Sequence, residues 1–595
     1  MLRARRVFCI LSAPLAFAPE VDVTCRDCPC PEYDETRPKY RTAELVSTRE
    51  PAMPRQEWSS RTAFIFAAVG AAVGFGNIWR FPALAYDYGG GAFFVPYLLA
   101  LFLIGIPLLL LEVAMGQHKR LGDFGVFNSV NERFGGVGLA SVLCGFFVTC
   151  YYVPLISWVV RAFFESFGRM SDEWAGISSA EATEYFYNEV IGMETLGDDS
   201  RPTRAVGANV GYLLFSWMCI GLCLAFGIKW TGRIAYVTMG LPLVLLAVFF
   251  FRAVTLPGAA EGIHAYIGEW DFSVLRDRPD CWSTAASQIF FSLGVTFGIM
   301  TAFGSHCPPG APAAENSVII AVSNSFFSFV SGFAVFGVLG YLKEIEGAEN
   351  IDDVVQAGPA LLFGAYPAAL STLPGGIHWV RFFFLNIFLL GLDSAFALVE
   401  AVLAVIKDST FGRDIPHKVL VGSTIGLGCL CGIMYTTDAG LVFLDVIDFY
   451  INFVMLGLGF FKSFAAGWLY GLEKQIETFG DRIVYGYMLV TFVPLTVASG
   501  VWFGIEGNTG LAGFFVFFLF LGFGAIALFH SIKTRSEPWQ ATIYELSLRN
   551  VLDLRDELIG SVGNIYFIWA ILLKHFIPQV LLILFFNLAW YEKTE

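Results

Sequence analysis

Hydrophobic positions in this chain come in long unbroken blocks, without the short alternations of a soluble fold. Blocks of bilayer-spanning length fall at 62–86, 93–116, 138–167, 209–227, 233–252, 284–306, 316–341, 377–406, 417–435, 443–470, 483–504, 510–532 and 563–590. The pattern predicts an all-α polytopic membrane protein with 12 transmembrane helices and, if the last block also crosses, a 13th. It divides the chain into a tail at 1–54, expected to be disordered and cytoplasmic, a core at 55–532, a polar connector at 533–562 and an additional apolar helix at 563–595.

Two blocks are interrupted at mid-depth. The first, VGAAVGFGN, carries Gly70, Gly74 and Gly76 ahead of Asn77; the sixth, IFFSLGVTFG, carries Gly294 and Gly298 beside Ser292 and Thr296. Glycine makes unwinding cheap and lets a ligand approach the backbone. The amides and carbonyls so freed need partners in a bilayer, so a break is tolerated where it lines a buried or watery cavity. Glycines also serve close helix packing. Interruptions in spans 1 and 6, however, fall at matching places if spans 1–5 and 6–10 are repeats, and matched interruptions point to a binding site near the midplane.

Charge adds orientation. Lys119, Arg120, Lys229, Arg233, Arg413 and Lys418 follow spans 2, 4 and 8, whereas 168–208 and 342–376 are longer and acidic. The excess of basic residues on cytoplasmic loops therefore places the N-terminus inside. Within 342–376, IDDVVQ and GPALLFGAYPAAL read as two short helices, forming either a lid or an ordinary surface loop.

Composition excludes other classes. With 56% hydrophobic and 15% charged residues the chain is too apolar for a soluble multidomain protein. A net charge of −14 without a basic stripe excludes a nucleic-acid surface. Cys25, Cys28 and Cys30 have a zinc-like spacing but lack a spaced second half. RVFCILSAPLAFA fits a targeting segment and is too short to span. Asp393 sits inside span 8, where a carboxylate is costly unless paired or bound to a cation. An intramembrane aspartyl protease would need a second catalytic aspartate, and no matching motif is evident.

WSSRTAFIFAAVGAAVGFGNIWRFPALAYDYGGGAFFVPYLLALFLIGIPLLLLEVAMGQ, with QIFFSLGVTFG, SFVSGF and LGLDSAF, resembles the neurotransmitter:sodium symporter family over about residues 55–470. The resemblance implies a 5+5 inverted repeat with discontinuous helices 1 and 6. It implies a secondary active symporter of the plasma membrane, not an enzyme, that imports a neutral amino acid by alternating access. It also implies two sodium sites and chloride dependence. The partners are then a small-molecule amino acid and the lipid bilayer.

By this resemblance the first sodium is held by Ala72, Asn77, Ser292 and Asn324, and the second by Gly70, Val73, Leu390, Asp393 and Ser394. Tyr97, Gln288, Ser292, Asn324 and Ser328 would cradle chloride, Ser328 being neutral where chloride-independent members carry a carboxylate. The substrate pocket would comprise Ala72, Gly74, Phe75, Gly76, Val148, Tyr152, Phe291, Ser292, Gly294, Thr296, Phe297, Ser394 and Leu398. Gly74 stands where monoamine members place an aspartate, which favours a cargo bringing its own carboxylate. Thr296 departs from the small residue usual in the family. Arg80 with Asp448, and Arg55 with Asp408 and Trp58, would gate the two ends.

A GABA-like or betaine-like zwitterion, and a sensor or ion pathway on the same fold, are the alternatives. Gly232 and Pro242 weaken span 5 where an inner exit would run. The loop 168–208 has no cysteine and the chain no N-x-S/T site, unlike animal members. WAILLKHFIPQVLLILFFNLAWY resembles the family's span 11 at least as well as 483–504 does.

Overall fold

The computed structural model describes residues 55–591 apart from 169–173, 175–176, 197–200, 355–357, 505–509 and 534–537. The expected tail, with its cysteine cluster and targeting-like segment, lies outside the described residues. Regular structure among the described residues is helical throughout, with two isolated β-bridges.

Among the described residues eleven helices are long and apolar enough to cross a bilayer, and the bent pair Arg61–Ala72 and Gly76–Asp87 supplies a further crossing. Span 6 comes in two pieces, Asp280–Leu293 and Ile299–Ser305. The remaining core spans are Gly91–Lys119 (span 2), Glu132–Glu165 (3), Gly207–Leu224 (4), Ile228–Ala253 (5), Ala313–Glu346 (7), Gly376–Asp408 (8), His417–Thr436 (9) and Gly440–Leu469 (10).

Both interruptions have local causes. Span 1 starts where the Ser60 hydroxyl accepts the Ala63 amide, a side-chain cap. It stops where Val73 turns extended, at φ −87° and ψ 110°. Its two pieces are bent by 57°. Span 6 stops at Gly294, φ 64°, and restarts after Gly298, φ 78°. Between them Thr296 sits at φ 70°, a region β-branched residues rarely occupy, so the break holds local strain.

Small residues then set the packing. A Cβ on Gly116 would collide with the Thr301 carbonyl, and one on Gly304 would lie 2.5 Å from the Val113 oxygen. The backbones of span 2 and the second half of span 6 therefore touch, making one rigid pair. Span 5 is continuous past Gly232 and hitches at Met239, between Ile228–Thr238 and Gly240–Ala253.

The C-terminal third separates into two kinds of helix. Phe567–Trp590 packs inward: the Trp569 indole donates to the Pro107 carbonyl at 3.0 Å, and the Ser283 hydroxyl to Asn587 at 2.7 Å. Asp481–Phe503 and Gly513–His530 pair with each other, and the second is only 6% buried. The last helix, not this hairpin, thus rests on spans 2 and 6.

Three polar stretches carry more structure than their composition shows. The connector is helical at Trp539–Tyr544 and Asn550–Val562, burying Leu546, Val551, Leu554, Leu558 and Val562 on one stripe. Within 168–208 a helix starts at Ser179 behind a reciprocal Ser178–Glu181 cap. In 342–376 a short turn at Ile351–Asp353 precedes the helix Leu361–Ser371, whose Phe363 stacks on Phe186 at 4.2 Å.

Candidate functional site

The break in span 1 is stitched by side chains. Asn77 Oδ1 accepts the Gly74 amide at 2.8 Å, and the Tyr152 hydroxyl accepts the Phe75 amide at 3.3 Å. Phe75 stacks on Tyr152 with ring centroids 4.8 Å apart. A Cβ on Gly74 would lie 2.6 Å from the Tyr152 oxygen and 2.9 Å from the Ser394 hydroxyl, so a larger residue there has to move both side chains.

A cavity of about 30 Å³ opens at this point. Of the positions expected around a cargo, Ala72, Gly74, Phe75, Gly76, Val148, Tyr152, Phe291, Ser292, Gly294, Phe297, Ser394 and Leu398 all line it. Thr296 does not. Its amide donates to Glu112 Oε1 at 2.8 Å, because the left-handed bend faces it toward span 2, away from the cavity. Ile299 and Ala71 line the cavity instead, without having been expected there. Such a volume holds about two waters, so the walls have to shift before a larger solute fits. Among the described residues no charged side chain lines the space.

Next to it the neutral polar residues form one knot. Asn77 Nδ2 donates to Asn324 Oδ1 at 2.8 Å, to Ser328 at 2.7 Å and to Ser292 at 3.2 Å. Asn324 Nδ2 donates to Ser292 at 2.8 Å. Tyr97 reaches Ser325 at 3.0 Å, and Gln288 Nε2 donates to the Gly76 carbonyl at 3.3 Å, leaving Gln288 Oε1 without a partner. Amide and hydroxyl groups so arranged can serve a hard cation through oxygen and an anion through N–H and O–H.

Asp393 makes a second cluster. It is fully buried; one carboxylate oxygen accepts the Thr238 hydroxyl, and the other has no hydrogen-bond partner among the described residues. That open oxygen abuts Gly70, where a Cβ would sit 2.5 Å from it. Val73 and Leu390 are fully buried, and Ser394 follows Asp393 directly. An anionic oxygen aimed at the backbone of a broken helix, with no ammonium or guanidinium bonded to it, fits an alkali cation. Thr238, at the hitch in span 5, was not singled out from the sequence, since its hydroxyl gives no local pattern.

Both expected charge pairs are present. Arg80 lies 3.9 Å from Asp448 and donates to Asn452 at 3.1 Å, while the Tyr151 hydroxyl donates to Asp448 at 2.6 Å. Arg55 pairs with Asp408 at 3.2 Å and donates to the Arg120 and Ala404 carbonyls at 2.8 and 3.4 Å. Burial lowers the Arg55 pKa from its ordinary value, opposed by Asp408 and Glu400. Trp58 is buried and bonds the Phe303 carbonyl at 2.9 Å.

A larger cavity, about 690 Å³, lies between spans 1, 5 and 7 and is walled by apolar residues such as Ile65, Leu243 and Phe326. It gathers no convergent polar groups, so the small cavity at the breaks is the better candidate.

Known proteins resemble this chain over most of its length. A family model described as the sodium:neurotransmitter symporter family matches residues 55–175 and 168–506. The sodium- and chloride-dependent GABA transporter 2 of Rattus norvegicus is 32% identical over 484 residues, covering 76% of this chain and 79% of that protein. The human protein of that description is 32% identical over 481 residues, with the same coverage. The sodium- and chloride-dependent taurine transporter of Bos taurus is 32% identical over 463 residues, covering 72% of this chain and 74% of that protein.

Proposed function

The chain belongs to the sodium:neurotransmitter symporter family, and from that premise we propose that it imports a neutral amino acid together with two sodium ions and chloride. It is an integral membrane transporter, not an enzyme. The cargo class follows from charge. A cavity with no charged lining favours a ligand of net zero charge. The Phe75 and Gly76 amides and the Tyr152 hydroxyl suit its carboxylate, while Val148, Phe291, Phe297 and Leu398 suit an apolar side chain.

One observation carries the reading: two helices are broken side by side at mid-depth, next to a buried carboxylate with an open oxygen. The first sodium binds within the Ala72, Asn77, Ser292 and Asn324 knot and shares the cargo's carboxylate. Each ligand then raises the other's affinity by the same factor. The second binds Asp393 with Gly70, Val73, Leu390 and Ser394. Chloride takes the hydroxyls and amides of Tyr97, Gln288, Ser292, Asn324 and Ser328, balancing the first sodium.

Transport follows when spans 1, 2, 6 and 7 rock against spans 3, 4, 8 and 9, opening the Arg80–Asp448 and Arg55–Asp408 ends in turn. The Arg55 end faces the cytoplasm of a plasma membrane, as the basic loops indicate. Each net charge moved inward across 100 mV then supplies about 2.3 kcal/mol.

The test is thermal stability of the purified protein with leucine, alanine, GABA, taurine or dopamine, in sodium chloride, sodium gluconate or potassium chloride. At a hundredfold excess over Kd a ligand of the native state adds about 2.7 kcal/mol. A raised Tm with a neutral amino acid, confined to sodium and weakened without chloride, is expected. Stabilisation by dopamine, or by any cargo equally in potassium, would overturn the proposal.

A further inference from the structure

A lysine lies deep inside the protein, away from the residues that bind cargo and ions. Lys462, on span 10, is 0% exposed, and its ammonium sits 2.7 Å from both Glu112 Oε1 and Asp123 Oδ2, themselves 1% and 0% exposed. It also lies 5.3 Å from the centroid of the Phe127 ring. An ammonium between two carboxylates away from water is far too costly to be an accident of packing.

The two carboxylates belong to different bodies. Glu112 is on span 2, whose backbone touches the second half of span 6 at Gly116 and Gly304. The same Glu112 oxygen that meets Lys462 accepts the Thr296 amide and so holds the left-handed bend. Asp123 begins the short helix Asp123–Val130, and a Cβ on Gly138 of span 3 would collide with its backbone. Asp123 therefore travels with span 3. Its second oxygen accepts the Thr301 hydroxyl of span 6 at 2.7 Å. Gly298 lets the two bodies close here, since a Cβ on it would lie 3.3 Å from the Asp123 side chain.

We propose that Lys462 is a positioning residue for transport: a fixed internal cation that latches the span 2–span 6 pair to the span 3 body beneath the cavity. The inference rests on the rocking motion proposed above. If spans 1, 2, 6 and 7 move against span 3, Glu112 and Thr301 have to part from Asp123, and Lys462 can follow only one carboxylate. Parting exposes a buried charge, so the latch holds the cytoplasmic half shut until water enters. Through Glu112 the same ammonium keeps the Thr296 bend in place while the cargo is bound.

Asp123→Asn keeps the shape and leaves the Glu112–Lys462 pair neutral, so it removes the charge on one side only. With the latch weakened, more of the protein rests open to the cytoplasm. The apparent KM for external amino acid in proteoliposomes energised by external sodium then rises about three- to tenfold, as the competent fraction falls. Efflux of preloaded amino acid speeds up in parallel.

Thr301→Val removes the other cross-link, is nearly isosteric, and moves both quantities the same way by a smaller factor. Lys462→Arg retains the cation and keeps the KM nearer to wild type than Asp123→Asn does. A residue that only supported folding would lower the yield of active protein and leave KM and efflux per folded molecule unchanged. That result in Asp123→Asn, or in Thr301→Val where Asp123→Asn does not fold, overturns the latch. Absence of sodium-driven uptake by the wild-type protein would instead overturn the transport reading itself.

Discussion

The Arg80–Asp448 and Arg55–Asp408 pairs use the same residue types and are built very differently. Arg80 only approaches Asp448, at 3.9 Å, and the side chains are 21% and 31% exposed. Arg55 meets Asp408 at 3.2 Å with side chains 13% and 17% exposed, and both partners are also tied to backbone: Arg55 to two carbonyls, Asp408 to the Gly122 amide at 2.6 Å. Around the Arg55 end the connector adds a clasp, in which Glu557 accepts from His118, Lys119 and Tyr470. A pair held by main chain separates only when whole helices move. A pair held by one long side chain separates when that side chain swings. The conformation seen here is therefore closed firmly at one end and lightly at the other.

The sharpest way to break this contrast is Arg55→Ala. It strands Asp408 in a mostly buried place, a loss near the low end of the about 3–5 kcal/mol typical of breaking a buried pair. Sodium-driven uptake is expected to fall by tenfold or more, with efflux rising, in proteoliposomes. Arg80→Ala removes a partly exposed pair of about 0–1 kcal/mol, so its KM shift stays within roughly fivefold. A larger effect from Arg80→Ala than from Arg55→Ala would invert the ranking.

The smallest effect concerns the clasp and pH. Burial raises the Glu557 pKa, but hydrogen bonds from Lys119, Tyr470 and His118 outweigh it and bring the carboxyl down from 4.5 to about 2. A depressed folded pKa means the stabilisation is present above about 4.5 and is lost as pH falls toward 2. The Tm gap between wild type and Glu557→Gln should thus shrink between pH 6 and pH 3, by roughly 2 °C at most. A gap that widens on acidification would show that Glu557 is not held as its carboxylate.

The two breaks could be read from the chain because glycine beside polar residues inside an apolar block is a local signal. So could Asp393, conspicuous as a carboxylate in a span. The latch could not be read in the same way. Lys462 and Glu112 each lie inside a span but are 350 positions apart, and no local pattern pairs them. Thr238 and Tyr151 act through single hydroxyls that leave no periodic trace. The Asn550–Val562 helix was hidden for another reason: its apolar stripe is narrow and its charged positions dominate the composition. Thr296 is not among the residues lining the cavity, since a residue's facing in an unwound turn depends on φ, which periodicity does not encode.

Gly74 has an implication for ancestry. The Tyr152 and Ser394 oxygens lie 2.6 and 2.9 Å from where a Cβ would sit, so an aspartate at this position has to move both side chains aside. The tyrosine hydroxyl is bonded to the unwound Phe75 amide, so a lineage adapting to cationic cargo resets that contact along with position 74.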